Sequence, residues 1–304
     1  MRIIVITLVV ITILFILCLH FSEKFNTKQY ITAIQWNPHW QCFGGDCCGG
    51  VAQNYIRDRL SKNDVDFFSV VALEVDSTDL PEYDIHHILP EPNVVQCGVD
   101  MVNIIYNSTK WKPISNTVQG CFINQSSQAP TIPGARPFVI QQFQNIATTT
   151  KIWVIGAHWP HPTDWGPDNY YGSPSYIQVA LKGTGWVPSD KVLFMGDTNV
   201  NISDVSDNDI FNQMIPLSVG NIISAHVDDT KTCCNDTNGW LYNPDRVIAN
   251  FGTPISTLVV PQTTLIPPEC LYPSGSPPLT GWPDNKQADT VEEMHLPVEF
   301  TLVY

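Results

Sequence analysis

Basic residues are scarce in this chain. Lys and Arg number 15 against 29 Asp and Glu, a formal net charge of −14 over 304 residues. Gripping a polyanion by bulk attraction needs a basic footprint, and that mode of binding is excluded. If the substrate carries phosphate, the site must bring its own cation, as a carboxylate pocket loaded with a divalent metal would. Charge of either sign is thin, at 14% of residues, whereas Pro (24) and Gly (18) are plentiful. That balance favours many short strands and turns over long surface helices. No internal repeat or low-complexity tract is found. The nearest to one, "PPECLYPSGSPPLTGWP" (Pro267–Pro283), reads as a long, stiff surface loop. Cysteines at C-x₂-C spacing are also missing, which argues against a structural zinc site.

What is present begins with an apolar segment. "IIVITLVVITILFILCL" (Ile3–Leu19) follows Arg2 and holds no charge. It is longer than a usual signal core and slightly shorter than the roughly 20 residues that span a bilayer. Residues 1–22 therefore read as a hydrophobic leader, either a cleaved signal or an uncleaved single-pass anchor, with a buried core helix as the plain reading. Lys24 and Lys28 lie beyond it, so charge asymmetry sets no orientation. Of 9 Cys, Cys18 falls in the leader, and the others are Cys42, Cys47, Cys48, Cys97, Cys121, Cys233, Cys234 and Cys270. That even set fits up to about four disulfides in an oxidising compartment. Glycosylation triplets begin at Asn107, Asn124, Asn201 and Asn235. Together these features predict export, with the remaining domain (29–304) secreted or held on the extracellular or lumenal side of a membrane.

At 43% hydrophobic, that domain can bury one substantial core or two modest ones. Alternating or continuous apolar runs predict strands over "QYITAIQWNPHW" (Gln29–Trp40), "VDFFSVVALEV" (Val65–Val75), "VNIIYN" (Val102–Asn107), "ARPFVIQQF" (Ala135–Phe143) and "KIWVIGAHW" (Lys151–Trp159). Further strands are predicted over "KVLFMGDTN" (Lys191–Asn199), "DRVIAN" (Asp245–Asn250) and "HLPVEFTLVY" (His295–Tyr304). Helical spacing appears over Gly49–Asn63 and near Tyr176–Leu181. Asn37, Glu74, His158, Asp197, Asn199, Asp245 and His295 all fall where an apolar strand begins or ends. Each alone reads as a solvated turn residue or a satisfied structural histidine. As a set they suggest a pocket, because strands of stacked sheets end along common rims.

The order of these landmarks resembles the endonuclease/exonuclease/phosphatase superfamily, and within it the deoxyribonuclease I group. A strand ending in Asn37 comes first, then one ending in Glu74-Val75, then Arg136-Pro137 before a strand. A strand ending in His158 follows, then G-D-x-N with Asp197 and Asn199, then D-R-V at Asp245–Val247, and finally H-x-P-V at His295–Val298. The resemblance covers roughly Tyr30 to Tyr304. It implies an α/β (α+β) fold, a four-layer sandwich of two mainly antiparallel β-sheets flanked by helices. It departs from the family pattern at Met294, where an Asp commonly helps hold a divalent metal, and at Leu73, where a Gln is usual.

The resemblance implies a metal-dependent phosphodiesterase, most like an endonuclease acting on DNA, with no obligate protein partner. The implied catalytic group is His158, Asp197, Asn199, Asp245 and His295, with His295 paired to Asp245 and His158 to Glu74. Asn37 and Arg136 would bind the phosphate. Glu74, Asn37 and Asp197 would hold Mg²⁺, alone or with Ca²⁺, since hard cations prefer oxygen donors. A histidine near neutral pKa beside a carboxylate suits activation of water or protonation of a leaving oxygen. His39 and His161 match no motif position, and Trp36, Trp40 and Trp159 read as core. Two other readings stand beside this one. One keeps the chemistry on another substrate, as a sphingomyelinase-like or inositol-phosphate-directed enzyme. The other is a binding protein weakened in catalysis by Met294.

Overall fold

A computed structural model describes residues 28–38, 51–74, 93–97, 100–122, 136–160, 167–215, 220–225, 231–236, 239–261 and 295–304. The leader, Met294 and the Pro267–Pro283 stretch lie outside these residues, as do His39, His161 and the side chain of Glu74. Among the described residues, no helix is long and apolar enough to cross a membrane.

The strands, in chain order, are β1 (Tyr30–Trp36), β2 (Phe67–Glu74), β3 (Asn93–Cys97), β4 (Asp100–Tyr106), β5 (Trp111–Pro113), β6 (Val118–Phe122), β7 (Arg136–Asn145) and β8 (Lys151–His158). They continue with β9 (Lys191–Asp197), β10 (Ile223–Ser224), β11 (Cys233–Asp236), β12 (Gly239–Tyr242), β13 (Asp245–Ala249), β14 (Thr253–Val259) and β15 (Val298–Val303). The helices are α1 (Val51–Ser61), α2 (Pro167–Lys182) and α3 (Asp207–Met214). One sheet runs β14-β15-β1-β2-β4-β3 and the other β10-β13-β9-β8-β7-β5, with β6 also on β7. β11 and β12 form a separate hairpin. Pairing is mostly antiparallel, with β1–β2 and β8–β9 parallel, so both sheets are mixed.

Period-2 alternation builds the layers. Ile31, Ala33, Phe67, Val102 and Ile104 of the first sheet meet Val139, Val154, Leu193, Met195 and Val247 of the second in one buried core. The opposite face of the second sheet (Ile140, Trp153, Ile155, Phe194) buries Ile177 and Leu181 of α2 and Ile210, Phe211 and Met214 of α3. Outside the first sheet, Tyr55 of α1 lies edge-on to Trp36 and against Phe68. The result is helix, sheet, sheet, helix, the four-layer sandwich that the resemblance implies.

Element edges moved modestly; helix α3 and the strands β3, β5, β6, β10, β11, β12 and β14 were not foreseen. The α2 helix begins well before Tyr176 and contains Pro174. α3 has a legible start signal: Ser206 caps it by accepting from the Asp209 N–H, with Asp207 and Asp209 in the first turn.

At the rim away from the site, Asp66 ties three strands. Its Oδ2 accepts from the Thr32 N–H at 2.9 Å and its Oδ1 from the Trp111 indole at 2.9 Å. Burial raises its pKa against these bonds. Asp66→Asn turns one acceptor into a donor facing another donor, and should cost about 2 kcal/mol by urea unfolding. At the other rim, Cys97 of β3 and Cys121 of β6 form a disulfide that joins the two sheets. Replacing both by Ala should lower stability by about 3 kcal/mol for this loop length. An unchanged unfolding midpoint would mean the bond closes no entropy-rich loop. Cys233 is also disulfide-bonded. Among the expected glycosylation positions, Asn107 is corrected. It is buried, its Nδ2 donates to Asn63 and its Oδ1 accepts from Thr109, so the side chain leaves no room for a glycan.

Candidate active site

Three strands of the second sheet set one row. In register, His158 lies beside Asp197 across β8–β9, and Asp197 lies opposite Asp245 across β9–β13. The polar residues that end the apolar runs thus stand in line at one rim. From the first sheet, Asn37 follows β1 and His295 precedes β15, which pairs with β1. His295 is seated by its backbone: its N–H donates to the Asn37 carbonyl at 3.0 Å, and its carbonyl accepts from the Trp36 indole at 2.9 Å.

Asp197 is the centre of the group and is fully buried. Its Oδ2 accepts from Asn37 Nδ2 at 2.7 Å and its Oδ1 from the Asn199 N–H at 2.8 Å. The same Oδ2 lies 3.5 Å from His295 Nδ1 and 3.6 Å from His158 Nε2. Burial works against its charge, but the two imidazoles and the two hydrogen bonds outweigh it and hold its pKa below 3.8. The turn after β9 makes this possible. Asn199 adopts a left-handed backbone, φ 52°, which Asn tolerates better than most residues. Its Nδ2 donates to the Trp159 carbonyl at 2.6 Å. Thr198 staples the turn to the start of β13, donating through both N–H and hydroxyl to the Pro244 carbonyl.

Each histidine has a carboxylate at Nδ1. His295 Nδ1 is 2.7 Å from Asp245 Oδ2, and that carboxylate also accepts from Thr232 at 2.7 Å and from Gln35 at 3.4 Å. His158 Nδ1 is 2.7 Å from Asp100 Oδ2, a close contact without hydrogen-bond alignment. The carboxylate at this ring is Asp100; the expected pairing of His158 with Glu74 falls on a side chain outside the described ones. Two backbone features place Asp100 here. A bulge in β2 between Val70 and Leu73 shifts the strand so that Glu74 stands opposite Asp100. And Gly156, one pleat before His158, admits β4: a Cβ there would lie 3.0 Å from Ile104 and 3.1 Å from Val102, so Asp100, the next inward position on β4, reaches the ring. Asp100 was legible only as a charge between "CGV" and an apolar run.

Arg136 sits at the start of β7 and is partly exposed. Its Nη1 is 3.2 Å from Asp100 Oδ2, so it organises the His158 side of the site. Asn37, Arg136, His158, Asp197, Asn199, Asp245 and His295 all belong to this one connected rim. Glu74 reaches it by strand register alone, its side chain lying outside the described ones.

Asp197, Asp245 and His295 offer ligand atoms within 4.8 Å of one another. An ion seated among all three would break the His295–Asp245 hydrogen bond, so the donors do not fit a cation there. Asn37 donates through Nδ2 to Asp197, and the oxygen donors of these two residues, rather than a ring nitrogen, match what a hard divalent ion prefers.

No protein-family model and no curated protein matches the sequence. Solved structures match along most of the chain. An endonuclease/exonuclease/phosphatase family protein from Bacteroides thetaiotaomicron superposes with a TM-score of 0.60 at 15% identity, covering 91% of this chain and 99% of that one. A mannosyl-6-phosphatase from the same organism gives 0.60 at 15% identity, covering 90% and 99%. TDP2 from D. rerio, complexed with a single-strand DNA product, gives 0.58 at 12% identity, covering 90% and 99%. With two mixed sheets stacked between helices, the chain has the α/β sandwich fold of the endonuclease/exonuclease/phosphatase proteins.

Proposed function

We propose that the chain is a divalent-metal-dependent phosphoester hydrolase that cuts DNA at its phosphodiester bonds. One observation carries this reading: two histidines, each backed by its own carboxylate, face a single buried Asp197 oxygen from 3.5 and 3.6 Å. Hydrolysis of a phosphodiester needs a base for water on one side of phosphorus and an acid for the departing oxygen on the other. In this reading His295, oriented by Asp245, takes the proton of the attacking water, and Asp197 aligns that water. The P–O3′ bond breaks as the new P–O bond forms, leaving a 5′-phosphate end, and His158 supplies a proton to the departing oxygen. Asn37, Asn199 and Arg136 hold the non-bridging oxygens. Mg²⁺, alone or with Ca²⁺, would be held by Glu74, Asn37 and Asp197 and supplies, when bound, positive charge to the phosphate.

A second reading has its own support. The −14 net charge gives no long-range pull on a polymer of phosphates, which favours a small phosphoester such as an inositol phosphate, or the headgroup of sphingomyelin. Export is part of the proposal: the leader and the Cys97–Cys121 disulfide fit an oxidising compartment. The test is nicking of supercoiled plasmid by the purified domain in Mg²⁺ and Ca²⁺, beside sphingomyelin and inositol phosphates. Nicking that disappears with EDTA is expected. A folded protein inert on all three substrates would leave only the binding-protein reading.

A further inference from the structure

We propose that Thr232 is a positioning residue for the His295–Asp245 pair, a role its place in the sequence does not suggest. For its kinetic consequence this rests on the hydrolase reading; for its geometry it does not. Thr232 is fully buried, just before the disulfide-bonded Cys233, and joins three parts of the site. Its hydroxyl donates to Asp245 Oδ2 at 2.7 Å, the same oxygen that faces His295 Nδ1 at 2.7 Å. Its carbonyl accepts from the Leu296 N–H at 2.7 Å, the residue after His295. Its own N–H donates to the Tyr242 carbonyl at 2.8 Å, three residues before Asp245.

A carboxylate rotates softly about its last torsion, so donors must fix its plane. Gln35 reaches the other oxygen only at 3.4 Å, at the weak limit of a hydrogen bond. The short bond comes from Thr232. Because one residue holds both the carboxylate and the strand entry that carries the ring, it sets their separation. In this fully buried place no water can replace the hydroxyl if it is lost.

Thr232→Val keeps the shape and deletes the donor, while the neighbouring disulfide still anchors the segment. The expected result is a fall in kcat of about 10–100-fold with KM unchanged, since the hydroxyl does not touch substrate. Thr232→Ser restores most of the rate. A readout without substrate accompanies this. In the wild-type protein the His295 Nδ1 proton should resonate far downfield and show a nuclear Overhauser contact to a slowly exchanging Thr232 hydroxyl proton, because both donors converge on one oxygen. Thr232→Val should shift that resonance upfield, which a merely structural role would not do. A Val variant within about twofold of wild-type kcat, with the resonance unmoved, overturns the proposal. Should the Val variant not fold, absence of the Overhauser contact in the wild-type protein overturns it equally. If the wild-type protein cleaves none of the substrates, the hydrolase reading fails while the resonance still decides the positioning role.

Discussion

His295→Ala should reduce the rate of phosphodiester cleavage by about 10²–10⁴-fold, the range for removal of a general base. The ring is buried, its Nδ1 engaged by Asp245 and its backbone clamped between Asn37 and Trp36. Truncation therefore removes the proton acceptor without freeing the chain around it. Asp245→Asn should cost nearly as much, because the amide cannot hold the imidazole in the tautomer that leaves Nε2 as acceptor. The two losses should not add: residues that act as one unit fail together. Plasmid nicking and a chromogenic phosphodiester measure both. A His295→Ala protein within about threefold of wild type would remove the histidine from the chemistry.

Asp197→Asn has a double consequence, one on rate and one on stability. The carboxylate accepts on both oxygens, from Asn37 Nδ2 and the Asn199 N–H. An amide in its place must set an NH₂ group against one of those donors and loses the charge that both histidines face. Activity should fall by about 10³-fold or more, in line with the loss of a preorganised charge at a reacting centre. The stability effect has a definite sign. The Asp197 pKa in the fold is below the ordinary 3.8, so the unfolded chain binds its proton more readily. Its contribution to stability is complete above the unfolded value and is lost as pH falls through the folded one. Urea unfolding from pH 6 down to pH 2 should therefore show the gap between wild type and Asp197→Asn shrinking in acid. A gap that stays constant across that range would mean the carboxylate is not held charged by its neighbours.

Much of the site was legible from local pattern. Residues such as Asp197 and His158 break an apolar run at a strand end, and such breaks read directly from periodicity. The two-sheet sandwich was implied by the resemblance, with which the order of short apolar runs is compatible. What periodicity could not supply was the partner of each residue. The resemblance pairs His158 with Glu74, whereas the carboxylate that folding brings to its Nδ1 is Asp100 of β4, which no local pattern marks; Gly156 leaves the space in which that strand packs. Asn107 carries a glycosylation triplet, yet its side chain closes a buried turn. Thr232 lies in "KTCCND" with no pattern around it, and only the approach of distant segments gives its hydroxyl a task.

The sequence by itself determined the central strands and the polar residues that end them, because alternation of apolar side chains is a local property of the chain; short strands such as β3, β6 and β14 did not stand out in it. Tertiary structure alone decided which strand ends meet, because sheet register, and bulges such as that in β2, depend on pairing between distant segments. The chemistry lies in those meetings: a carboxylate becomes an orienting group only when folding sets it about 2.7 Å from a ring nitrogen.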